Sequence, residues 1–308
     1  MRIFPIGLLS FLFLFSSPMA LAAFVYLGSD RPAAVKLPAH YNANQKYPLL
    51  VILHGYGSTA SETGFYLEVD VHPMAAPYIY IAPEGTLDAQ GRRHWNAAPP
   101  QEPGEVNDSI YLQELIAQAK ATFSVDPARI YVVGVSNGGF MAYRLACDTD
   151  GLLAGIVSIA GAMFSDQSYC RTKTPISVLQ IHGTRDEIVP FESTRPESLG
   201  ALASAQTWAQ KNGCQSSAEM LNARDVMLQP LIPGIVLADG AYQAPPGPIV
   251  VDDLGAQETD ELSWSACAQG VNVGLWRVNG GTHVPDYSGK NLIGQALEFL
   301  TKGTATSR

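Results

Sequence analysis

The sequence predicts an α/β fold, in which a mostly parallel sheet is covered by helices on both faces. Short, nearly all-apolar runs alternate along the chain with segments whose apolar residues recur at helical spacing, an order typical of strand and helix units. Because the runs lack alternating polar residues, both faces of each strand are expected to be buried. The 308 residues are 47% hydrophobic and 15% charged, which suits such a core and excludes a disordered chain.

The first strands and the first helix are predicted from segments with clear ends. Residues 47–53 form an apolar run that stops at the glycine-containing loop 54–57, and residues 78–82 form a second run that a proline ends. Residues 109–123 carry apolar side chains at helical spacing, and Asp108 before them is the expected helix cap.

The middle of the chain continues the same alternation. Residues 129–134 are β-branched and short, which favours a strand, and residues 140–147 are rich in helix formers. Two further apolar runs, 155–159 and 176–181, are predicted to be buried strands.

The end of the chain completes the pattern after one interruption. Residues 199–211 are predicted to form a helix, 271–278 the last strand and 291–300 a closing helix. The interruption, at about 215–261, has five prolines and few charges and is too long for an ordinary connection. It is interpreted as an insertion into a single domain, 23–308, and a lid, an extra hairpin over a pocket and simple decoration are all open for it.

The charge balance restricts the partners. Nineteen Lys and Arg against 28 Asp and Glu give a formal net charge of −9, and the chain has no basic run. A nucleic-acid partner or binding to an anionic membrane surface is therefore not expected. Small-molecule and polymeric substrates remain.

The amino terminus has the three parts of a secretory signal peptide. Arg2 gives a positive start, residues 3–15 are apolar, and Ala20-Leu21-Ala22 is an A-x-A site. The sequence therefore predicts a signal peptide at 1–22 and a secreted or periplasmic protein with no stable membrane span after cleavage. An uncleaved membrane anchor is the alternative, because weakly apolar residues continue to Leu27.

The four cysteines all lie beyond the predicted signal peptide. An even number in an exported protein predicts two disulfides. Of three possible pairings, proximity in sequence favours Cys147–Cys170 and Cys214–Cys267. A zinc site is the alternative, but the chain has no C-x-x-C pair and no histidine at ligand spacing, so no metal is expected.

Residues 134–138 form the chain's one G-x-S-x-G motif, with Ser136 at its centre. A strand is predicted before it and a helix after it, which is the setting of a nucleophile elbow. The flanking glycines leave room for a strained turn that exposes the serine Oγ. Ser136 is therefore the candidate nucleophile, and a structural serine in a glycine-rich turn is the alternative.

A serine hydroxyl needs a base to become a nucleophile, and the base needs an orienting acid. Of six histidines, His283 is the candidate base, because it follows the last predicted strand and so lies at the carboxyl edge of the sheet, where catalytic groups of open α/β sheets are found. A loop histidine without a catalytic role is the alternative. His54 and His182 each precede a glycine at a strand end and are interpreted as structural or loop-shaping residues.

Asp186 is the candidate acid, since it also lies just past a predicted strand. Glu187 and Asp286 are the alternatives, in which case Asp186 caps a helix. The order Ser136, Asp186, His283 is that of α/β-hydrolases and differs from the orders in chymotrypsin-like and subtilisin-like enzymes.

Two backbone N–H groups are needed to stabilise an oxyanion. In this fold one belongs to the residue after the nucleophile, which is Asn137, and the other to a loop after an early strand. Tyr56 is the candidate for the second, with Gly55 as the alternative, and an ordinary turn without this role is also open. Trp95, in a polar loop, is interpreted either as a platform for substrate or as a residue of the core.

Five stretches of the chain carry a family resemblance: PLLVILHGYG at 48–57, DPARIYVVGVSNGGFMAYRLAC at 126–147, IHGTRDEIVP at 181–190, WAQKNGC at 208–214 and LWRVNGGTHVP at 275–285. They resemble secreted α/β-hydrolase esterases of the polyhydroxybutyrate depolymerase and feruloyl esterase type. The resemblance implies a carboxylic-ester hydrolase without cofactor or metal, with Ser136 as nucleophile, Asp186 as acid and His283 as base, and it fits both disulfide pairings.

The segment between Cys214 and Cys267 departs from this resemblance, because it is longer than expected in compact members of the family. The choice of ester is therefore not carried over. Two other functions remain as alternatives: a non-catalytic exported binding protein on a hydrolase scaffold, and an acyltransferase or peptidase with the same three residues.

Overall fold

The structure, a computed structural model, describes residues 25–28, 30–100, 102–215, 218–227, 229–230, 235–236, 242–243, 251–252 and 258–302. The predicted signal peptide, residues 1–22, lies outside the described residues, as does much of the 215–261 segment.

Sixteen strands lie in the described part of the chain. In chain order they are β1 (Val25–Leu27), β2 (Ala33–Lys36), β3 (Tyr47–Leu53), β4 (Ile79–Ala82), β5 (Thr86–Leu87), β6 (Arg93–His94), β7 (Val125–Val135), β8 (Gly155–Ile159), β9 (Ser177–Gly183), β10 (Glu219–Arg224), β11 (Gln229–Pro230), β12 (Ile235–Val236), β13 (Tyr242–Gln243), β14 (Val251–Asp252), β15 (Thr259–Trp264) and β16 (Val273–Val278). The helices are α1 (Ala60–Tyr66), α2 (Asp108–Thr122), α3 (Asn137–Asp148), α4 (Ala201–Lys211) and α5 (Leu292–Thr301).

Ten of these strands form one sheet in the order β1-β2-β4-β3-β7-β8-β9-β16-β15-β10. The six strands from β4 to β16 pair in parallel, and the two outer strands on each side pair antiparallel. The chain passes from β3 to β4 on one side and then returns to place β7 on the other side of β3. The carboxyl ends of β3 and β7 therefore flank a topological switch point, where open α/β sheets bind their ligands.

The core consists of one apolar layer on each side of the sheet. Leu49, Val51 and Leu53 belong to the layer that includes residues of α2, α3 and α4, while Leu50 and Ile52 belong to the layer that includes α5. All seven residues of β3 are buried. The prediction that helices cover both faces of these strands is confirmed.

Most predicted boundaries differ from the observed ones by a few residues. The strand predicted at 129–134 is the end of the longer β7, and the helix predicted to begin at 140 starts at Asn137. The predicted cap of α2 is wrong. Asn107 is the cap, and its side chain accepts a hydrogen bond from the Ile110 N–H at 3.0 Å.

Asp108 is instead the first residue of α2, and its buried carboxylate contacts residues outside the helix. One oxygen lies 2.6 Å from Arg31 Nη1 and the other accepts a hydrogen bond from the Asn96 N–H at 2.7 Å. A buried carboxylate needs such partners, and Arg31 and the Asn96 N–H supply them.

Both ends of the 215–261 segment belong to the main sheet. β10 pairs antiparallel with β15, and β15 pairs antiparallel with β16. The described ends of the segment therefore continue the main sheet through β10 and β15. β15 was not predicted because it contains no apolar run. Buried and partly exposed residues are mixed along it, and two of them are acidic.

Both favoured disulfides are present. Cys147–Cys170 joins the end of α3 to a later loop, and Cys214–Cys267 joins the region after α4 to the turn after β15. Among the described residues, every helix is too short or too polar to cross a lipid bilayer.

Candidate active site

Ser136 lies at the turn between β7 and α3. It follows the last residue of β7 directly and precedes the first residue of α3. Its backbone has φ 51° and ψ −117°, a conformation that residues other than glycine rarely adopt. Such a strained strand-to-helix turn is the geometry of a nucleophile elbow.

The two glycines of the motif are required by close backbone contacts. A Cβ atom on Gly134 would lie 2.0 Å from the carbonyl oxygen of Gly138, and a Cβ atom on Gly138 would lie 2.3 Å from that of Leu53. No side chain fits at these distances. The G-x-S-x-G pattern therefore lets β3, β7 and α3 approach closely around Ser136.

The three side chains predicted to act together are hydrogen-bonded in series. Nε2 of His283 lies 2.9 Å from Ser136 Oγ, and Nδ1 of His283 lies 3.0 and 2.8 Å from the two carboxylate oxygens of Asp186. Because an ionised carboxylate can only accept, Nδ1 donates, and Nε2 is left to accept the serine hydroxyl hydrogen. This tautomer can take a proton from Ser136.

The strand order brings the loops of Asp186 and His283 together. Asp186 follows β9 and His283 follows its parallel neighbour β16, and the Arg185 N–H donates to the Gly281 carbonyl at 2.9 Å. The alternative acids do not share this position. Glu187 is exposed, and Asp286 is exposed with its carboxylate on a nearby backbone N–H.

Opposing effects set the pKa of the Asp186 carboxyl. Burial raises the pKa, whereas hydrogen bonds from His182, His283 and the Val189 N–H lower it, and the result is about 2. The carboxylate therefore stays ionised at neutral pH and can stabilise a positive charge on His283.

The loop after β3 passes beside Ser136. Gly55 lies close enough that an added Cβ would be 3.5 Å from the Ser136 Cβ. Buried His54 accepts a hydrogen bond from the Gly85 N–H at 2.9 Å through Nε2, so its proton is on Nδ1, which donates to the Gly55 carbonyl at 2.7 Å. Burial lowers the pKa of His54, which favours this neutral form.

The His54 hydrogen bond also orients Tyr56. The Gly55 carbonyl and the Tyr56 N–H belong to one planar peptide and point in opposite directions. Fixing the carbonyl therefore fixes the N–H that was predicted to stabilise an oxyanion.

Trp95 connects the loop after β3 with the start of α3, which carry the two predicted oxyanion groups. Its Nε1–H donates to the His54 carbonyl at 2.9 Å. Its backbone N–H donates to Asn137 Oδ1 at 2.6 Å, and Asn137 Nδ2 donates to its carbonyl at 3.0 Å. Trp95 is only 2% exposed, as a residue of the core would be, and it also contributes to the cavity wall.

A cavity of about 710 Å³ opens beside Ser136. This volume suits a ligand of drug-like size. Its wall combines aromatic, aliphatic and charged residues, among them Tyr56, Phe140, Phe164, Ile188, Glu105, Arg195 and Glu197. In the part of the chain that the structure describes, His, Cys, Asp and Glu side chains form no group of three that could hold a metal ion.

One contact of the site was not predicted from the sequence. His182, interpreted only as structural, lies 3.2 Å from an oxygen of Asp186 and forms a hydrogen bond with the buried Gln180. The available signal was Gln180 itself, a polar residue inside an otherwise apolar strand.

The sequence model of the phospholipase/carboxylesterase family matches residues 39–198, more than half of the chain. The chain belongs to this family. The matched region contains Ser136 and Asp186 but ends before His283. Membership in the phospholipase/carboxylesterase family confirms the predicted α/β-hydrolase fold and groups the chain with carboxylic-ester hydrolases.

Individual relatives of this chain are named as esterases. One relative is NocK of Nocardia uniformis subsp. tsuyamanensis, which is named as an esterase. It is 32% identical to this chain over 166 residues, which are 50% of this chain and 45% of NocK. Another relative is a protein of Aspergillus clavatus that is named as feruloyl esterase C. It is 29% identical over 199 residues, which are 61% of this chain and 64% of that protein. The chain thus spans less than two thirds of the length of both relatives.

One solved structure supports the fold along nearly the whole chain. The acetyl xylan esterase from Aspergillus awamori superposes with a TM-score of 0.59 at 12% identity, covering 90% of this chain and 99% of that one.

Proposed function

We propose that the protein is a serine-dependent carboxylic-ester hydrolase that works through an acyl-enzyme. The observation that carries the proposal is the series of hydrogen bonds from Ser136 Oγ through His283 to Asp186, with distances of 2.9 and 2.8 Å. The cavity beside Ser136 and the family membership support it.

The reaction has two halves. Ser136 Oγ attacks the ester carbonyl while His283 Nε2 takes its proton, and His283 then gives that proton to the leaving alcohol as the ester C–O bond breaks. In the second half, His283 takes a proton from water as the water oxygen attacks the acyl carbonyl. His283 then gives that proton to Ser136 Oγ as the acyl–serine bond breaks, which releases the acid and the free serine. Asp186 remains ionised and holds the imidazole, and the N–H groups of Asn137 and Tyr56 stabilise the oxyanion of each half.

The proposed substrates are feruloyl-type or hydroxyalkanoate-type esters, small or polymeric. The names of fungal relatives favour the first, since several are feruloyl esterases. The cavity wall, which includes Tyr56, Phe140 and Phe164, suits an aromatic or aliphatic acyl group. No cofactor takes part in this chemistry.

Export is part of the proposal. Residues 1–22 act as a signal peptide and residues 23–308 form one catalytic domain, which then reaches a secreted or periplasmic location. The two disulfides support an oxidising compartment. Amino-terminal sequencing of the exported protein should give Ala23 as its first residue, and an intact Met1 would contradict cleavage.

Hydrolysis of p-nitrophenyl esters from acetyl to octanoyl by the purified protein tests the activity. Wild type should turn over, and Ser136→Ala should lose at least about 10⁴ in kcat, since the nucleophile is gone. Added alcohols or amines that divert the acyl group from water would favour an acyltransferase. A folded, oxidised wild type without turnover would favour the binding protein.

A further inference from the structure

A second histidine contacts the carboxylate of Asp186. Nε2 of His182 lies 3.2 Å from Asp186 Oδ2 and 2.8 Å from the carbonyl oxygen of Val189. The side chains of His182 and Asp186 have no solvent exposure, and His182 is not part of the cavity wall. His182 therefore touches the acid but not the space where substrate would bind.

The neighbours of Gln180 determine where His182 carries its proton. Nε2 of Gln180 lies 2.9 Å from the Gly161 carbonyl, which can only accept, so the amide nitrogen must face it. The same nitrogen lies 3.0 Å from His182 Nδ1, and Gln180 Oε1 accepts from the Tyr143 hydroxyl at 2.8 Å. Nδ1 of His182 is thus an acceptor, and its proton is on Nε2, directed at Asp186 and Val189.

The two oxygens of Asp186 both lie near Nδ1 of His283 but differ in their other partners. Oδ1 accepts hydrogen bonds from the backbone N–H groups of Ile188 and Val189 at 2.9 and 2.8 Å. Oδ2 has no such backbone donor among the described residues. Besides His283, the nitrogen that faces Oδ2 is Nε2 of His182, 3.2 Å away, and this nitrogen also contacts the Val189 carbonyl. Without His182, the side of the carboxylate closest to His283 would be held by His283 alone.

The polar side chains around His182 are buried and hydrogen-bonded to one another or to backbone. Gln180, His182 and Tyr143 are all buried, and buried amide and imidazole groups are unfavourable unless they are hydrogen-bonded. Tyr143 lies on α3, the helix that begins directly after Ser136. The chain therefore links the helix of the nucleophile to the loop of the acid.

We propose that His182 is a positioning residue for Asp186: its Nε2–H holds Oδ2 so that the carboxylate keeps His283 aligned with Ser136. This inference rests on the proposed function and adds a fourth side chain to it. The pKa of Asp186 agrees with it, because burial raises that pKa while the hydrogen bonds from His182 and His283 lower it.

Two substitutions at one position separate the hydrogen bond from packing. His182→Leu fills most of the space without a donor, whereas His182→Gln can place an amide N–H near the position of Nε2. We expect His182→Leu to lower kcat for p-nitrophenyl acetate at least tenfold with KM within twofold, because His182 does not touch substrate. His182→Gln should recover most of the lost kcat.

A double-mutant cycle with Asp186→Asn tests whether His182 acts through the acid. If it does, His182→Leu should have little further effect on kcat once Asp186 is an amide. The matched control is Asn212→Leu, which removes another buried side chain that bonds to backbone, at Ile176. This control should lower the unfolding temperature while leaving kcat within twofold.

The same four proteins are also compared by the pH at which each unfolds in acid, because this measurement does not depend on turnover. His182→Leu should raise the pH at which the protein unfolds, and this shift should be absent in the Asp186→Asn background. A kcat within twofold of wild type in His182→Leu, or an equal loss of kcat in both backgrounds, would overturn the inference. If wild type has no ester turnover, the proposed function fails, and the contact between His182 and Asp186 is judged from acid unfolding alone. A shift with His182→Leu that disappears in the Asp186→Asn background upholds the contact. The same shift in both backgrounds overturns it.

Discussion

Nε2 of His283 lies 2.9 Å from Oγ of Ser136, although 147 positions separate the two residues in the chain. Ser136 follows β7 and His283 follows β16, and both strands end at the same edge of the parallel part of the sheet. The site therefore depends on strand order, and changes that disturb the carboxyl edge should affect activity and stability together.

Alanine at Gly134 is expected to lower the free energy of unfolding by more than about 3 kcal/mol, since the new Cβ would lie 2.0 Å from the Gly138 carbonyl oxygen and the backbone must move. Urea unfolding measures the loss. Gly213→Ala is the control: its φ of +63° is left-handed, unlike that of Gly134, but its surroundings are open, so about 1 kcal/mol is expected. Equal losses in the two variants would contradict the close contact at the elbow.

Phenylalanine at Trp95 is expected to lower the free energy of unfolding by about 1 to 3 kcal/mol, because the His54 carbonyl loses its buried Nε1–H donor. KM for p-nitrophenyl esters should stay within twofold if the ring mainly joins the two loops. Unfolding and steady-state kinetics of the same preparation check both points. A tenfold rise in KM with unchanged stability would instead favour a substrate platform.

Stability is expected to depend on pH through Asp186. Its pKa is about 2 in the folded protein, below the ordinary value of 3.8. Because the folded pKa is the lower one, the carboxylate stabilises the folded state above about pH 4, and this contribution, on the order of 2 kcal/mol, is lost as the pH falls towards 2. Urea unfolding at pH 5 and pH 2 measures it.

Asp186→Asn is the comparison for this pH dependence. The variant lacks the titrating group, so it should lose about 2 kcal/mol less than wild type between the two pH values. The same loss in both proteins would show that other groups cause the acid sensitivity.

Removal of either disulfide should lower stability, by an amount that rises with the logarithm of the length of chain that it closes. The bridges span 23 and 53 residues, which correspond to about 3 and about 4 kcal/mol. Paired serine substitutions, Cys147→Ser with Cys170→Ser and Cys214→Ser with Cys267→Ser, are compared by urea unfolding. A larger loss from the shorter bridge would mean that local packing outweighs the chain-entropy effect.

The sequence was informative where burial on both faces leaves a plain signal. The runs that became β3, β7, β8, β9 and β16 are almost wholly apolar because helices cover both sides. The edge strands β1 and β2 are short and mix buried with exposed residues, so no pattern marks them. β10 and β15 were missed for a related reason, since they lie inside a segment defined by its prolines.

The candidate site was predictable as far as strand ends define it. Ser136, Asp186 and His283 each follow a predicted strand, and their order along the chain is enough to place them at one edge. Contacts such as Trp95 with Asn137 or His182 with Asp186 depend on side-chain directions across different elements. No linear spacing encodes those directions.

Labelling with a fluorophosphonate that reacts with activated serine hydroxyls tests the central claim most directly. One adduct per chain should form on wild type, and peptide mapping should place it on Ser136, while His283→Ala should react at least about 100-fold more slowly because the base is missing. Ser136→Ala should remain unlabelled. Labelling of Ser136→Ala at the wild-type rate, or an adduct on another residue, would contradict Ser136 as the nucleophile.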